Sequence, residues 1–132
     1  MNAPLRHEKH FSLARARALL RDFLPLLGDM VHLAQHLKLI GYDIYRHKYF
    51  GGLGPNGDRE YPKELDSLIE ILKDFDAAGI LVKGPENGLI DFPHIRSNGE
   101  EVYLCYQWGE ETIRYWHSIG SGFTGRKPLT AI

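Results

Sequence analysis

Apolar residues recur at helical spacing over positions 13–40. With Ala16 in heptad position a, Ala16, Phe23, Met30 and Leu37 fill a, Leu19, Leu26, Leu33 and Ile40 fill d, and Leu20, Leu27 and Ala34 fill e. Three adjacent apolar columns make a stripe wider than a two-stranded coiled-coil seam. They suit a bundle or a helical hairpin, on a helix about 40 Å long. Ser12 offers an N-cap, while Pro25 and Gly28 fall in the interior and predict a kink. The pattern weakens from Gly41 to Phe50, where the helix continues or frays. Gly51-Gly52-Leu53-Gly54-Pro55-Asn56-Gly57 reads as a loop. Its G-x-G-x-x-G spacing is no dinucleotide fingerprint, because no strand precedes it and Pro55 lacks an N–H to offer a phosphate.

A second, shorter helix of about 25 Å follows. Pro62 suits its first turn, Leu65, Leu68, Ile69, Leu72 and Phe75 keep the helical period, and Gly79 stops it. After Gly79 the period becomes two. Ile80–Lys83, Leu89–Phe92, Val102–Gln107 and Thr112–Ser118 read as strands, separated by turns at Gly84–Gly88, Ser97-Asn98-Gly99 and Gly109-Glu110. The tail from Gly120 to Pro128 reads as irregular but docked through Phe123 and Leu129. The expectation is one α+β domain over 1–132: an antiparallel helical hairpin over 12–78, a β-meander of about four strands over 80–118, and a docked tail over 119–132.

The formal charge is −1, which leaves no whole-molecule attraction for nucleic acid or anionic lipid. Residues 1–50 carry eight Lys/Arg against four Asp/Glu and residues 51–132 eight against thirteen, so the two halves attract each other. The single Cys105 allows no internal disulfide, and Met1-Asn2-Ala3-Pro4-Leu5 shows no secretion pattern. No apolar run approaches the roughly 20 residues of a spanning helix. A cytoplasmic protein is expected.

Strand alternation sorts the candidate chemistry. With turns centred on Asn98 and near Glu110, Asp91 falls opposite Cys105, Cys105 opposite Tyr115, and Tyr103 opposite His117. One face then carries Asp91, Tyr103, Cys105, Gln107, Tyr115 and His117. The reverse face carries Ile90, Phe92, Val102, Leu104, Tyr106 and Trp116, the layer that packs on the helices. Asp91, Cys105 and His117 are a possible ligand set for zinc or another divalent metal, and a thiol beside an imidazole is a possible nucleophile. The bland alternative is a buried Cys105, a His117–tyrosine hydrogen bond and Asp91 capping a turn before Pro93. Glu110 and Arg126 flank glycines at the sheet's end. Arg126 either clamps an anion or, the preferred reading, pairs with Glu110 or Asp91.

Other clusters carry less. His32 and His36 have the i, i+4 spacing of a metal clamp without an evident third ligand, so a solvated surface is preferred. His7 and His10 receive no function. Tyr42, Tyr45, Tyr49 and Phe50 interleave with Arg46, His47 and Lys48 in a pattern that can stack single-stranded nucleic acid. The patch is short and the protein net acidic, so helix-end packing or a subunit contact is favoured.

Several segments resemble an uncharacterised prokaryotic family, domain of unknown function 2203. They are Gly88–Pro93, Val102-Tyr103-Leu104-Cys105, Gly109-Glu110, Tyr115-Trp116-His117, Gly122–Leu129, and the opening Phe11-Ser12-Leu13 with Ala16–Leu20. The resemblance implies a shared fold and no activity. The glycine-rich loop at 51–57 departs from that family's pattern. Because the first helix's stripe exceeds what a shorter helix can cover, the leading expectation is a non-enzymatic interaction or scaffold module that self-associates as a homodimer or higher oligomer. The alternative is a small metal-binding protein or hydrolase-like enzyme. Its speculative binding residues are Asp91, Tyr103, Glu110, Tyr115, His117 and Arg126.

Overall fold

The computed structural model describes residues 4–46, 48–49 and 61–132. The glycine-rich loop at 51–57, His47 and Phe50, and the side chains of Lys48 and Tyr49, lie outside the described residues.

Helix α1 spans Leu13–Leu39, and its N-cap Ser12 accepts a hydrogen bond from the Arg15 amide. The helix runs on through Pro25 and Gly28 as one element, and the kink expected there is not shown. Pro25 removes one hydrogen bond to the Arg21 carbonyl, but both residues lie on the exposed face, open to solvent. Gly28 serves a close approach: a Cβ there would lie 2.9 Å from the Trp108 indole. After α1 the chain neither continues as helix nor frays. Strands β1 (Tyr42–Asp43) and β2 (Lys48–Tyr49) pair as a small antiparallel hairpin, and Tyr42 is buried in the core. Asp43 Oδ1 accepts from the Tyr45 and Arg46 amides, which nucleates the turn.

Helix α2 (Glu64–Ala77) packs on α1. His36 meets Glu64 at the start of α2 and Phe23 meets Phe75 near its end, so the pair is antiparallel. The main sheet then follows as β3 (Leu81–Gly84), β4 (Leu89–Ile95), β5 (Glu101–Gln107), β6 (Tyr115–Ser118) and β7 (Lys127–Pro128), paired in chain order and all antiparallel. The strands number five, not four. The extra one comes from the tail, where Lys127 pairs with Trp116 and Pro128 with Tyr115. Two residues ending in proline carry no alternation by which sequence could announce them.

One cluster of buried apolar residues joins Ala16, Leu20, Leu27, Met30, Ala34 and Leu37 of α1, Leu68, Ile71 and Phe75 of α2, and Ile90, Phe92, Val102, Leu104, Tyr106 and Trp116 of the sheet. Leu19, Phe23, Leu26, Leu33 and Ile40 pack against it, partly buried. The wide stripe of α1 is therefore taken up by the chain's own sheet and second helix. At roughly 25 cal/mol per Å² of apolar surface removed from water, this layer is the main source of stability. Among the described residues no helix is long and apolar enough to cross a membrane.

Candidate metal centre

Hydrogen-bonded ladders fix the register. Turns at Arg96–Glu100 and Gln107–Glu110 are closed by backbone bonds, with Gly99 at φ +89° and Gly109 at φ +102°, the left-handed region that glycine adopts freely. These turns place Asp91 opposite Cys105, Cys105 opposite Tyr115 and Tyr103 opposite His117. The side chains of Asp91, Cys105 and His117 converge on the face away from the helices. One donor atom from each, a carboxylate oxygen, the thiol sulfur and an imidazole nitrogen, lie within 4.8 Å of one another. All three residues are buried, at 1%, 0% and 3% exposure.

The imidazole is held at both nitrogens. Nδ1 lies 2.8 Å from the Ser118 carbonyl, which can only accept, so Nδ1 carries a hydrogen and Nε2 faces Asp91 Oδ2 at 3.1 Å. A backbone carbonyl that orients a histidine in this way is the usual support of a metal-binding imidazole. Without a metal, the same geometry requires one proton between Nε2 and Asp91 Oδ2, and on the ring it makes an imidazolium. Burial disfavours that charge, but the bonds to Asp91 and to the Ser118 carbonyl outweigh it and raise the His117 pKa above its ordinary value. Asp91 Oδ1 is buried with no hydrogen-bond partner, a cost of about 1–3 kcal/mol in a site without a cation. Burial first, and then the neighbouring Asp91 charge, push the Cys105 thiol well above its ordinary range. A free thiolate is thereby disfavoured, and covalent catalysis by Cys105 alone has no activated nucleophile.

The remaining predicted residues sit around this group. Tyr103 packs edge-on against His117, with ring centres 5.5 Å apart, and Lys83 Nζ lies over the Tyr103 ring, 5.1 Å from its centre. Arg126 Nη2 bonds both oxygens of Glu110 at 2.7 Å, while its guanidinium stacks on Tyr115 and Phe123. Glu110 also accepts from the Gln107 amide. This is the Arg126–Glu110 pair preferred from sequence. Asp91 pairs with His117 rather than capping a turn, and His117 bonds no tyrosine hydroxyl. His32 and His36 are exposed on α1, and Glu64 reaches His36 at 3.5 Å.

Glu101, His7 and His10 carry contacts that no sequence pattern announces. Glu101, on β5, accepts from the Arg6 amide (2.8 Å), the His7 amide (3.1 Å) and His10 Nε2 (2.7 Å). His7 Nε2 in turn shares a 2.6 Å hydrogen bond with the Tyr103 hydroxyl. Both histidines thus acquire partners from β5, more than 90 residues away in the chain. No local pattern signals such a contact.

A family model described as Uncharacterized conserved protein (DUF2203) matches residues 9–129. The chain belongs to this family. The DUF2203 match covers both helices, the whole sheet and all three donor residues. No curated protein and no solved structure matches the chain. The DUF2203 assignment therefore supports the shared fold, and the chemistry must be argued from the donor group itself.

Proposed function

We propose that this DUF2203 protein binds a divalent transition-metal ion, zinc by preference, through Asp91, Cys105 and His117. The observation that carries the reading is a buried carboxylate oxygen without a partner, inside a group that offers one oxygen, one sulfur and one nitrogen within 4.8 Å. Zinc takes this donor set. A carboxylate, a thiolate and a neutral imidazole would also cancel the ion's two charges, so the loaded centre would bury no net charge. Binding would release the thiol proton and the shared imidazole proton, which makes affinity rise with pH. Three protein ligands leave a coordination position for water or a small ligand, the arrangement found in catalytic zinc sites. Such an ion would supply a Lewis acid or an activated water, and no substrate is assigned.

A second reading has an observation of its own. The 3.1 Å His117–Asp91 contact is a complete ion pair when the ring is doubly protonated. In that case the group is a structural pair and holds no ion.

Metal analysis of protein purified without a histidine tag separates the two. The metal reading expects close to one equivalent of ion, a fall in melting temperature on chelation, and loss of the ion in Cys105→Ser. Cobalt substitution should give a thiolate-to-metal absorption band that Cys105→Ser lacks. Trace metal together with unchanged melting after chelation leaves the ion pair alone.

A further inference from the structure

A segment whose attachment is unusual lies around the donor group, against Tyr103, which packs on His117, and beside Leu81, the residue opposite Asp91. From Leu5 to His10 no side chain is buried, and Leu5 is 55% exposed. The first buried apolar residue is Phe11, whose ring packs on Phe92 in the core. Phe11 is also fixed by its backbone: its amide donates to the Pro93 carbonyl at 2.7 Å and its carbonyl accepts from His94 Nδ1 at 2.7 Å. Beyond that point the segment is held by polar bonds to two side chains of β5, three to Glu101 and one to Tyr103. Tyr103 links the segment to the donor group, since its ring meets both His7 and His117, at 5.3 and 5.5 Å between centres. His7 also lines a cavity with Pro93 and with Leu81, the residue opposite Asp91. A cover without apolar anchors and with most of its bonds on one carboxylate opens at far lower cost than the core it shields.

We propose that residues 5–10 are a liftable cover over Asp91, Cys105 and His117, hinged at Phe11 and latched by Glu101, and that its opening is the route by which an ion or small ligand reaches Cys105. The cover stands on the geometry alone; its role in admitting a metal rests on the metal-binding reading. Glu101 is the latch because it gathers two backbone amides and an imidazole from three residues of the cover. Removing such an ionised acceptor weakens the closed state by a factor of about 10–100.

The test uses the full chain, stripped of metal with a chelator, and reads the rate at which an aromatic disulfide reagent modifies Cys105 as urea is raised through the native range. Opening of the cover exposes little surface, so the wild-type rate should depend weakly on urea at low concentrations and merge with global unfolding only near the midpoint. Glu101→Gln should raise the low-urea rate about 10–100-fold with the unfolding midpoint little changed. His7→Ala, which alters an outward residue and leaves the core intact, should raise it several-fold. The proposal is overturned if wild-type modification follows global unfolding at every urea concentration, or if both variants label at the wild-type rate. Because the assay contains no metal, its outcome is independent of metal analysis. Fast, Glu101-dependent labelling in a protein that takes up no ion would keep the cover and remove the metal.

Discussion

At its centre the main sheet is buried on both faces, and the two faces are chemically opposite. Toward the helices, Ile90, Phe92, Val102, Leu104 and Trp116 meet an apolar layer. On the other side, one residue along each strand, Asp91, Cys105 and His117 are buried as completely but bring a carboxylate, a thiol and an imidazole. Burying the first set is favourable in itself. Burying the second is costly unless charges are paired and hydrogen bonds completed. A face serving stability alone would be better filled with aliphatic side chains, so the polar set marks the face whose composition answers to something besides packing.

The largest effect expected on the comparison is Phe92→Ala. Phe92 is fully buried and touches Phe11, so its truncation should cost about 3–5 kcal/mol in urea unfolding. A loss below 1 kcal/mol would mean that the helix-side face is not the stabilising one. On the opposite face, His117→Ala in metal-stripped protein leaves the Asp91 carboxylate buried without its partner, at about 3 kcal/mol. Replacing both together, Asp91→Leu with His117→Phe, should restore most of that loss. A double variant as unstable as the sum of its singles would show that the two side chains do not act as a pair.

Smaller is Gly28→Ala, where the new methyl meets the Trp108 indole and should cost about 1–3 kcal/mol. Trp108→Leu should relieve it. The smallest effect is acid release of the cover. Burial works against the Glu101 charge, but the Arg6 amide, the His10 ring and the His7 amide prevail and hold its pKa below the ordinary value. A carboxylate with a depressed pKa contributes fully above its unfolded value and loses that contribution as pH falls through the folded one. Amide exchange protection at Arg6 and His7, corrected for intrinsic rates, should therefore drop in the acid range below about pH 4. Protection at Leu104 and Cys105 should persist there. Equal loss at all four would place the cover and the core in one cooperative unit.

Much of this contrast was legible in the sequence. Period-two alternation and the turns around Asn98 and Glu110 sufficed to place Asp91, Cys105, Tyr115, Tyr103 and His117 in their observed pairings, because a hairpin register follows from where its turn is centred. The α1 stripe and the Ser12 cap were legible for the same reason: both are local. What escaped was non-local or too short to have a period. Glu101 acquires its role from Arg6, 95 residues away, and β1, β2 and β7 are two residues each. The α1 stripe, wider than the second helix, is shared with the sheet face that alternation assigns to the helices.

The margins of the main sheet bear on how this molecule can meet others. At one margin β3 has four residues and an irregular step between Val82 and Gly84, and past its end the Phe11 amide takes the Pro93 carbonyl. At the other, β7 ends in Pro128, which has no N–H to offer an incoming strand. Neither border presents the long, flat ladder on which a foreign strand could zip itself. Addition of a foreign strand at either border of the main sheet is thereby disfavoured.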